Sequence, residues 1–137
     1  MDLAYELHDL VRTLDNAAER LLRPAGLSYR RYLALVIIGE HPNLTGRNLG
    51  QALGVSEAAV SVTVRELMKA GLVHDVAQAG SGNVRRLSLS QSGRQKRAEC
   101  SALLGASLDE TAAQAGIDPH DLAGTIRLLH QAVKGEL

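Results

Sequence analysis

Residues Leu44 to Val73 read LTGRNLGQALGVSEAAVSVTVRELMKAGLV, two short helical patterns that meet at Gly54-Val55-Ser56. The first pattern sets Leu49, Ala52 and Leu53 on one face at i, i+3 and i+4. Thr45 stands ahead of it as a cap for its free amides. The pattern stops at Gly54, the residue type that enters the left-handed backbone region without steric cost. Val55 plugs the corner and Ser56 supplies a second cap. A helix from about Glu57 to Ala70 follows, with Val60, Val64, Leu67 and Met68 directed inward, and Gly71 ends it. Two helices joined at a tight glycine turn, the second capped by serine, are the layout of a helix-turn-helix. The competing reading is an ordinary helical hairpin inside an all-α core.

The residues that follow favour the first reading. Leu72, Val73 and Val76 form a short strand, Ala79 to Asn83 a loop of small residues, and Val84 to Ser90 a returning strand with Val84, Leu87 and Leu89 as its apolar members. A hairpin directly after a recognition-type helix is a wing. The fold class expected is therefore mainly α with a small β-hairpin wing (α+β). So read, the chain resembles the MarR family of bacterial winged helix-turn-helix transcriptional regulators. The resemblance covers nearly all of it and rests on Leu44-Thr45, on Leu53-Gly54-Val55-Ser56, on Val60-Ser61 and Leu67, on Gly71-Leu72-Val73, and on Leu89-Ser90-Gln91-Ser92-Gly93. It implies a homodimer on a palindromic operator, usually repressing, and released by a small ligand or by thiol oxidation.

Outside this region the pattern is helical. Leu3, Leu7, Leu10, Leu14, Ala17 and Leu21 recur at alternating spacings of four and three, an amphipathic helix suited to packing on another helix. Pro24 and Gly26 break it. Ser28 caps a second helix to about Glu40 with Leu33, Val36 and Ile37 inward. After the wing, Ser90 caps one long helix from about Gln91 to Ala115, ended by Gly116. Asp118-Pro119-His120-Asp121 then opens a last one, with Leu122, Ile126, Leu129 and Val133 as its stripe. A winged region of residues 28–90 cannot cover the stripes of 1–27 and 91–137. The expected solution is a two-fold dimer, with Leu3, Leu7, Leu10 and Leu14 of one end and Leu122, Ile126, Leu129 and Val133 of the other at its interface.

Length and composition set bounds. A chain of 137 residues makes one ordinary domain. No apolar run approaches the ~20 residues of a membrane span. With acids from Asp2 to Glu19, no secretory leader is expected. A single cysteine, Cys100, excludes a disulfide framework and fits a reducing compartment, so a cytoplasmic location is expected. The net charge of zero hides a division. Thr45 to Arg97 holds eight basic residues against three acidic ones, leaving seven against twelve elsewhere. A basic middle between acidic ends suits a nucleic-acid face.

On that face the Glu57–Ala70 helix is expected in the major groove of double-stranded DNA. Ser56 and Ser61 can hydrogen-bond bases or phosphates, and Ala58 and Val62 can meet thymine methyls. Arg65 and Lys69 suit phosphates, as do Thr45 and Arg47 at the start of the preceding helix. Two departures from the family stand out. Its wing tip usually carries an aspartate and an arginine, the arginine entering the minor groove; here Ser81, Gly82 and Asn83 carry no charge, and Arg85 and Arg86 lie further down the strand. Val62 also stands where the family often has arginine.

Catalytic chemistry is not expected. There is no Cys-x-x-Cys, His-Glu-x-x-His or phosphate-binding loop, and the histidines at 8, 41, 74, 120 and 130 lack ligand spacing. No catalytic residue, metal or cofactor is therefore assigned. Cys100 is read as a buried, inert thiol, because thiol-sensing relatives place theirs on the first helix. Relatives hold an inducer between the terminal helices and the winged region, where this chain offers His8, Arg12, Tyr29, Arg30 and Tyr32. Arginine beside tyrosine suits a small, aromatic carboxylate. Two functions follow: a dimeric repressor of a pseudo-palindromic operator, or the same dimer kept as an interaction or ligand-binding module with weakened DNA contacts.

Overall fold

Polar caps and glycines set the limits of nearly every helix. The computed structural model describes all residues except Ser81 and Asn83 and consists of two units, Met1–Leu103 and Leu104–Leu137. In the first unit, α1 (Leu3–Leu22) starts at Asp2, whose carboxylate accepts the Tyr5 N–H at 2.9 Å, and closes through a 3-10 turn at Arg23–Ala25. Helix α2 (Tyr29–Glu40) is capped by Ser28. Strand β1 (Leu44–Thr45) leads into α3 (Gly46–Leu53) and α4 (Glu57–Lys69). Strands β2 (Val73–Asp75) and β3 (Arg86–Leu89) precede α5 (Gln91–Leu104). The second unit holds α6 (Ser107–Gln114) and α7 (Pro119–Lys134), the latter capped by Asp118 and ended by Gly135. The fold is a mainly helical winged helix-turn-helix.

The sheet has three strands where the sequence suggests two. Its order is β1-β3-β2, all antiparallel, with Leu44 opposite Leu87 and Val73 opposite Leu89. A two-residue strand such as β1 has no alternation to read, which is why only the structure reveals it. Central β3 buries Leu87 completely and Leu89 nearly so. The ladder ends at Asp75 opposite Leu87. Val76 and Val84 lie just beyond it and are exposed, so the paired strands are shorter than their apolar residues imply.

The core of the first unit forms where α2 packs on α1, α3, α4 and β3. Leu22, Leu35, Leu49, Leu67 and Leu87 are fully buried, each a stabilisation of roughly 1.5–3 kcal/mol. Several inward faces differ from the sequence pattern. In α2 the buried residues are Ala34, Leu35 and Ile38, while Leu33, Val36 and Ile37 are half-buried. Every position from Leu33 to Ile38 is apolar, so periodicity cannot select a face. In α3 Gly50 is buried and Ala52 exposed; in α4 Thr63 joins the core and Met68 is half-buried. Thr63 is accommodated because its hydroxyl donates to the Ala59 carbonyl oxygen at 3.1 Å. Cys100 is fully buried on α5, and burial raises its thiol above the ordinary value, Glu99 adding to the effect and Lys96 opposing it.

The single helix expected from Gln91 to Ala115 is two. Gly105 takes φ 57 between α5 and α6, a left-handed conformation that ends a helix although the surrounding sequence has high helical propensity. In α6 Leu108 is exposed, and in α7 all four stripe residues are exposed.

The wing is fastened to the body at Ser90 and Gly93. The Ser90 hydroxyl donates to the Gly71 carbonyl oxygen at 2.6 Å and accepts the Gly93 N–H at 3.0 Å, and its own N–H bonds to the Leu72 carbonyl oxygen. A Cβ at Gly93 would collide with that Leu72 oxygen, a backbone atom that cannot swing aside. Gly93→Ala should therefore cost about 1–3 kcal/mol or more through overpacking, read as a lower denaturant midpoint at unchanged slope. A midpoint like that of the natural chain would show that this junction has slack.

Candidate nucleic-acid interface

Helices α3 and α4 meet at a corner fixed by three small residues. Gly54 takes φ 70, a left-handed conformation, and Val55 turns back to donate its N–H to the Gly50 carbonyl oxygen at 3.0 Å. The Ser56 hydroxyl accepts the Ala59 N–H at 3.1 Å, opening α4. A Cβ at Gly50 would come within 3.1 Å of Val60 Cγ1, so the two helices approach as closely as a glycine allows. With Val60, Val64 and Leu67 committed to the core, α4 leaves Glu57, Ala58, Ser61, Val62 and Arg65 in solvent.

A cleft of about 410 Å³ runs along one flank of α4. Thr45, Gly46 and Arg47 of the α3 start, Glu57 and Ser61 of α4, and Val84 and Arg85 of the returning wing line it. Three separate stretches of the basic middle thus converge. Arg47, Arg65 and Lys69 are exposed and make no ion pair or hydrogen bond among the described residues. Thr45 is less available, since its hydroxyl accepts the Asn48 N–H at 3.1 Å and donates to Asn48 Oδ1 at 2.6 Å. Ser81 and Asn83 lie outside the described residues.

The two wing arginines diverge. Arg85 reaches back over α4, its Nη1 3.1 Å from Met68 Sδ, beside the cleft. Arg86 donates instead to the Asn43 carbonyl oxygen at 3.4 Å. Adjacent residues along an extended strand point to opposite faces, and the hairpin base beside them is held by Asp75, which sequence reasoning missed. Its carboxylate accepts the Ala77 N–H at 2.8 Å and the Arg86 N–H at 3.1 Å, clamping the base of the hairpin. Those two amides, Ala77 foremost, hold its carboxyl below the usual range against an opposing desolvation, with the Arg85 charge a lesser contribution. An aspartate two residues before a turn amide is an Asx-turn signal that could have disclosed it.

The residues expected at an inducer lie on α1 and α2. Arg12 is paired with Asp9 at 2.6 Å. Tyr29 and Tyr32 stack at 6.2 Å between ring centroids, half-buried, and the Tyr29 phenol is raised by burial and then by Asp15. Of the five, only Arg30 lines a second cleft of about 500 Å³, with Glu19, Ser28 and Arg31 on one wall and Ala59, Val62 and Thr63 of α4 on the other. Val62, 49% exposed, therefore lies on the flank of α4 opposite Ser61 and Arg85. Among the described residues no group of histidine, cysteine, aspartate and glutamate has the arrangement of a metal site, and no helix is long and apolar enough to cross a membrane.

Capped helices meeting at a left-handed glycine, with a three-stranded wing against them, define the winged helix-turn-helix class. Residues 25–86 match the model of the MarR family. This winged region is what the chain shares with the MarR family. The Mycobacterium tuberculosis transcriptional regulator MosR is 27% identical, with 97% of this chain and 96% of that one covered at a TM-score of 0.77. Its complex with DNA aligns over 100% of both chains at 24% identity and a TM-score of 0.73. CouR from Rhodococcus jostii RHA1, bound to p-coumaroyl-CoA, is 22% identical over 96% and 91% of the two chains with a TM-score of 0.81. A MarR family protein of Mycobacterium tuberculosis in complex with salicylic acid is 23% identical over 96% of each, at 0.73. No protein of curated function matches the chain in sequence.

The Asp75 clamp makes a pH prediction. A carboxyl whose folded pKa is depressed contributes stability fully above the ordinary value of ~3.9 and loses it as pH falls through the folded value. The amide resonances of Ala77 and Arg86 should titrate together with a midpoint below ~3.9. In Asp75→Ala both should exchange several-fold faster with solvent and lose the titration. Amides unmoved by the substitution would show that another acceptor holds the hairpin.

Proposed function

We propose that the protein is a dimeric DNA-binding transcription regulator that represses from a pseudo-palindromic operator. The observation that carries this reading is the convergence of Arg47, Ser61 and Arg85 on one cleft beside the solvent face of α4. That face has the polar, apolar and cationic side chains that base edges, thymine methyls and phosphates require. Arg85, held back against Met68, meets phosphate at the groove edge, which moves the wing contact away from the minor groove. Specificity then rests on Ser56, Ala58, Ser61 and Val62, and affinity on Arg47, Arg65, Lys69 and Arg85. A dimer seated on the duplex occludes polymerase, so repression is the simplest output.

The dimer is supported by the apolar stripes at the two ends. Leu3 and Leu10 of α1, and Leu122, Ile126, Leu129 and Val133 of α7, are all exposed within their own units. A second copy would cover such stripes symmetrically and set two α4 helices one DNA turn apart, about 34–36 Å. Sedimentation should give twice the chain mass, and Ile126→Asp should give a monomer with operator affinity lowered at least ~10-fold; a monomeric natural chain would overturn the dimer. Release by a small aromatic carboxylate is supported by the relative that holds salicylic acid or p-aminosalicylic acid. The inducer thus rests on that relative, and the DNA face on the geometry of this chain.

The test is anisotropy on the protein's own upstream DNA and on scrambled duplex across a salt series. The upstream fragment should bind at least ~10³-fold tighter. Arg65→Ala should flatten the salt dependence by about 0.9 in log–log slope for each phosphate it no longer neutralises, on both DNAs alike. If both duplexes bind equally weakly and selection from genomic fragments finds nothing tighter, the chain is instead an interaction module that keeps the fold. The uncharged residues at the wing tip are the feature that favours that second reading.

A further inference from the structure

Ser61 and Val62 are adjacent in sequence, yet one lines the cleft beside the wing and the other the cleft beside the start of α2. Glu57, Val60, Ser61 and Val64 line the first and Ala59, Val62 and Thr63 the second; at about 100° per residue these sets centre on opposite flanks of α4. A helix with its side chains is about 10–12 Å across, and the major groove is about 12 Å wide. A sugar-phosphate strand must then pass along each flank of an inserted α4. On the wing side the cations are Arg47 and Arg85. On the other they are Arg30 and Arg31.

Those two arginines differ. Arg31 stands 3.8 Å from Glu66 on α4 and is partly neutralised there. Arg30 is exposed and has no ion pair or hydrogen bond among the described residues. The sequence groups Arg30 with His8 and Arg12 as an inducer contact; in the structure it lines a cleft whose other wall is Ala59, Val62 and Thr63 of α4. One acid shares the cleft. Glu19 lines it, its carboxylate accepting the Tyr29 N–H at 2.9 Å.

We propose that the cleft between α2 and α4 seats the second phosphate strand of the duplex and that Arg30 is its main cation. The assignment rests on the DNA-binding function proposed for α4 and extends it. The footprint of each winged region then spans the major groove from Arg85 on one strand to Arg30 on the other. Val62 sits against the second strand's side of the groove. Glu19 sets an upper limit on affinity, because its charge faces the same phosphates.

Anisotropy of the full chain over a salt series tests this with Arg30→Ala, Arg30→Lys and Glu19→Gln, and a salicylate titration probes the rival free carboxylate. Arg30→Ala should weaken upstream and scrambled duplex by the same factor and flatten the log–log salt slope by about 0.9 per protomer. Arg30→Lys should keep the slope, and Glu19→Gln should tighten both duplexes. An unchanged slope in Arg30→Ala would overturn the assignment. So would a tenfold loss of salicylate affinity with DNA binding intact, which would make the cleft a carboxylate pocket. If the natural chain binds duplex without sequence preference, the operator reading fails but the slope still decides Arg30. If it binds no duplex, both fall.

Discussion

The corner between α3 and α4 leaves only a tight fit for a Cβ at Gly50, 3.1 Å from Val60 Cγ1, and holds Gly54 in a left-handed backbone. Those two constraints fix the angle at which α4 leaves the body. Val60, Val64 and Leu67 can then reach the core while Ser61, Val62 and Arg65 stay in water. The rest of the first unit supports that placement. Helix α2 packs beneath both helices, and Ser90 ties the end of α4 to the start of α5 through the Gly71 and Gly93 backbones. A displaced corner would separate the cleft residues, because Arg47, Ser61 and Arg85 come from three different elements.

Electrostatics follows the same frame. The chain is neutral overall, yet Arg30, Arg47, Arg65 and Arg85, none in an ion pair among the described residues, lie on or beside α4, while Arg97 pairs with Glu40 at 3.1 Å. Long-range attraction to a polyanion then depends on where charge lies and not on its sum. The wing contributes through its base. Asp75 holds the hairpin root, and along the returning strand Arg85 points toward α4 and Arg86 toward Asn43.

The fold was largely legible in the sequence because its punctuation is chemical. Gly54, Ser56, Gly71, Ser90 and Asp118 each cap or end a helix for reasons independent of distant contacts. What was not legible depended on neighbours. The buried face of α2 is hidden in a run of apolar residues, and β1 is too short to show a period. The helix break at Gly105 looks like a tolerated glycine until its φ is known. The same holds for the site: residue types picked out Arg47, Ser61 and Arg85, but only three-dimensional placement showed that they share a cleft. It also moved Val62 and Arg30 to the opposite flank of α4.

The central claim is that α4, with a cleft on either side, is the surface that meets DNA. Hydrogen exchange read by mass spectrometry, with and without a bound duplex, tests it most directly. Slower exchange should appear in peptides covering residues 45–48, 57–65 and 84–86, with a weaker effect at 29–31. Peptides from the core of α2 should not change. Protection confined to α6 and α7, with residues 57–65 unaffected, would contradict the account.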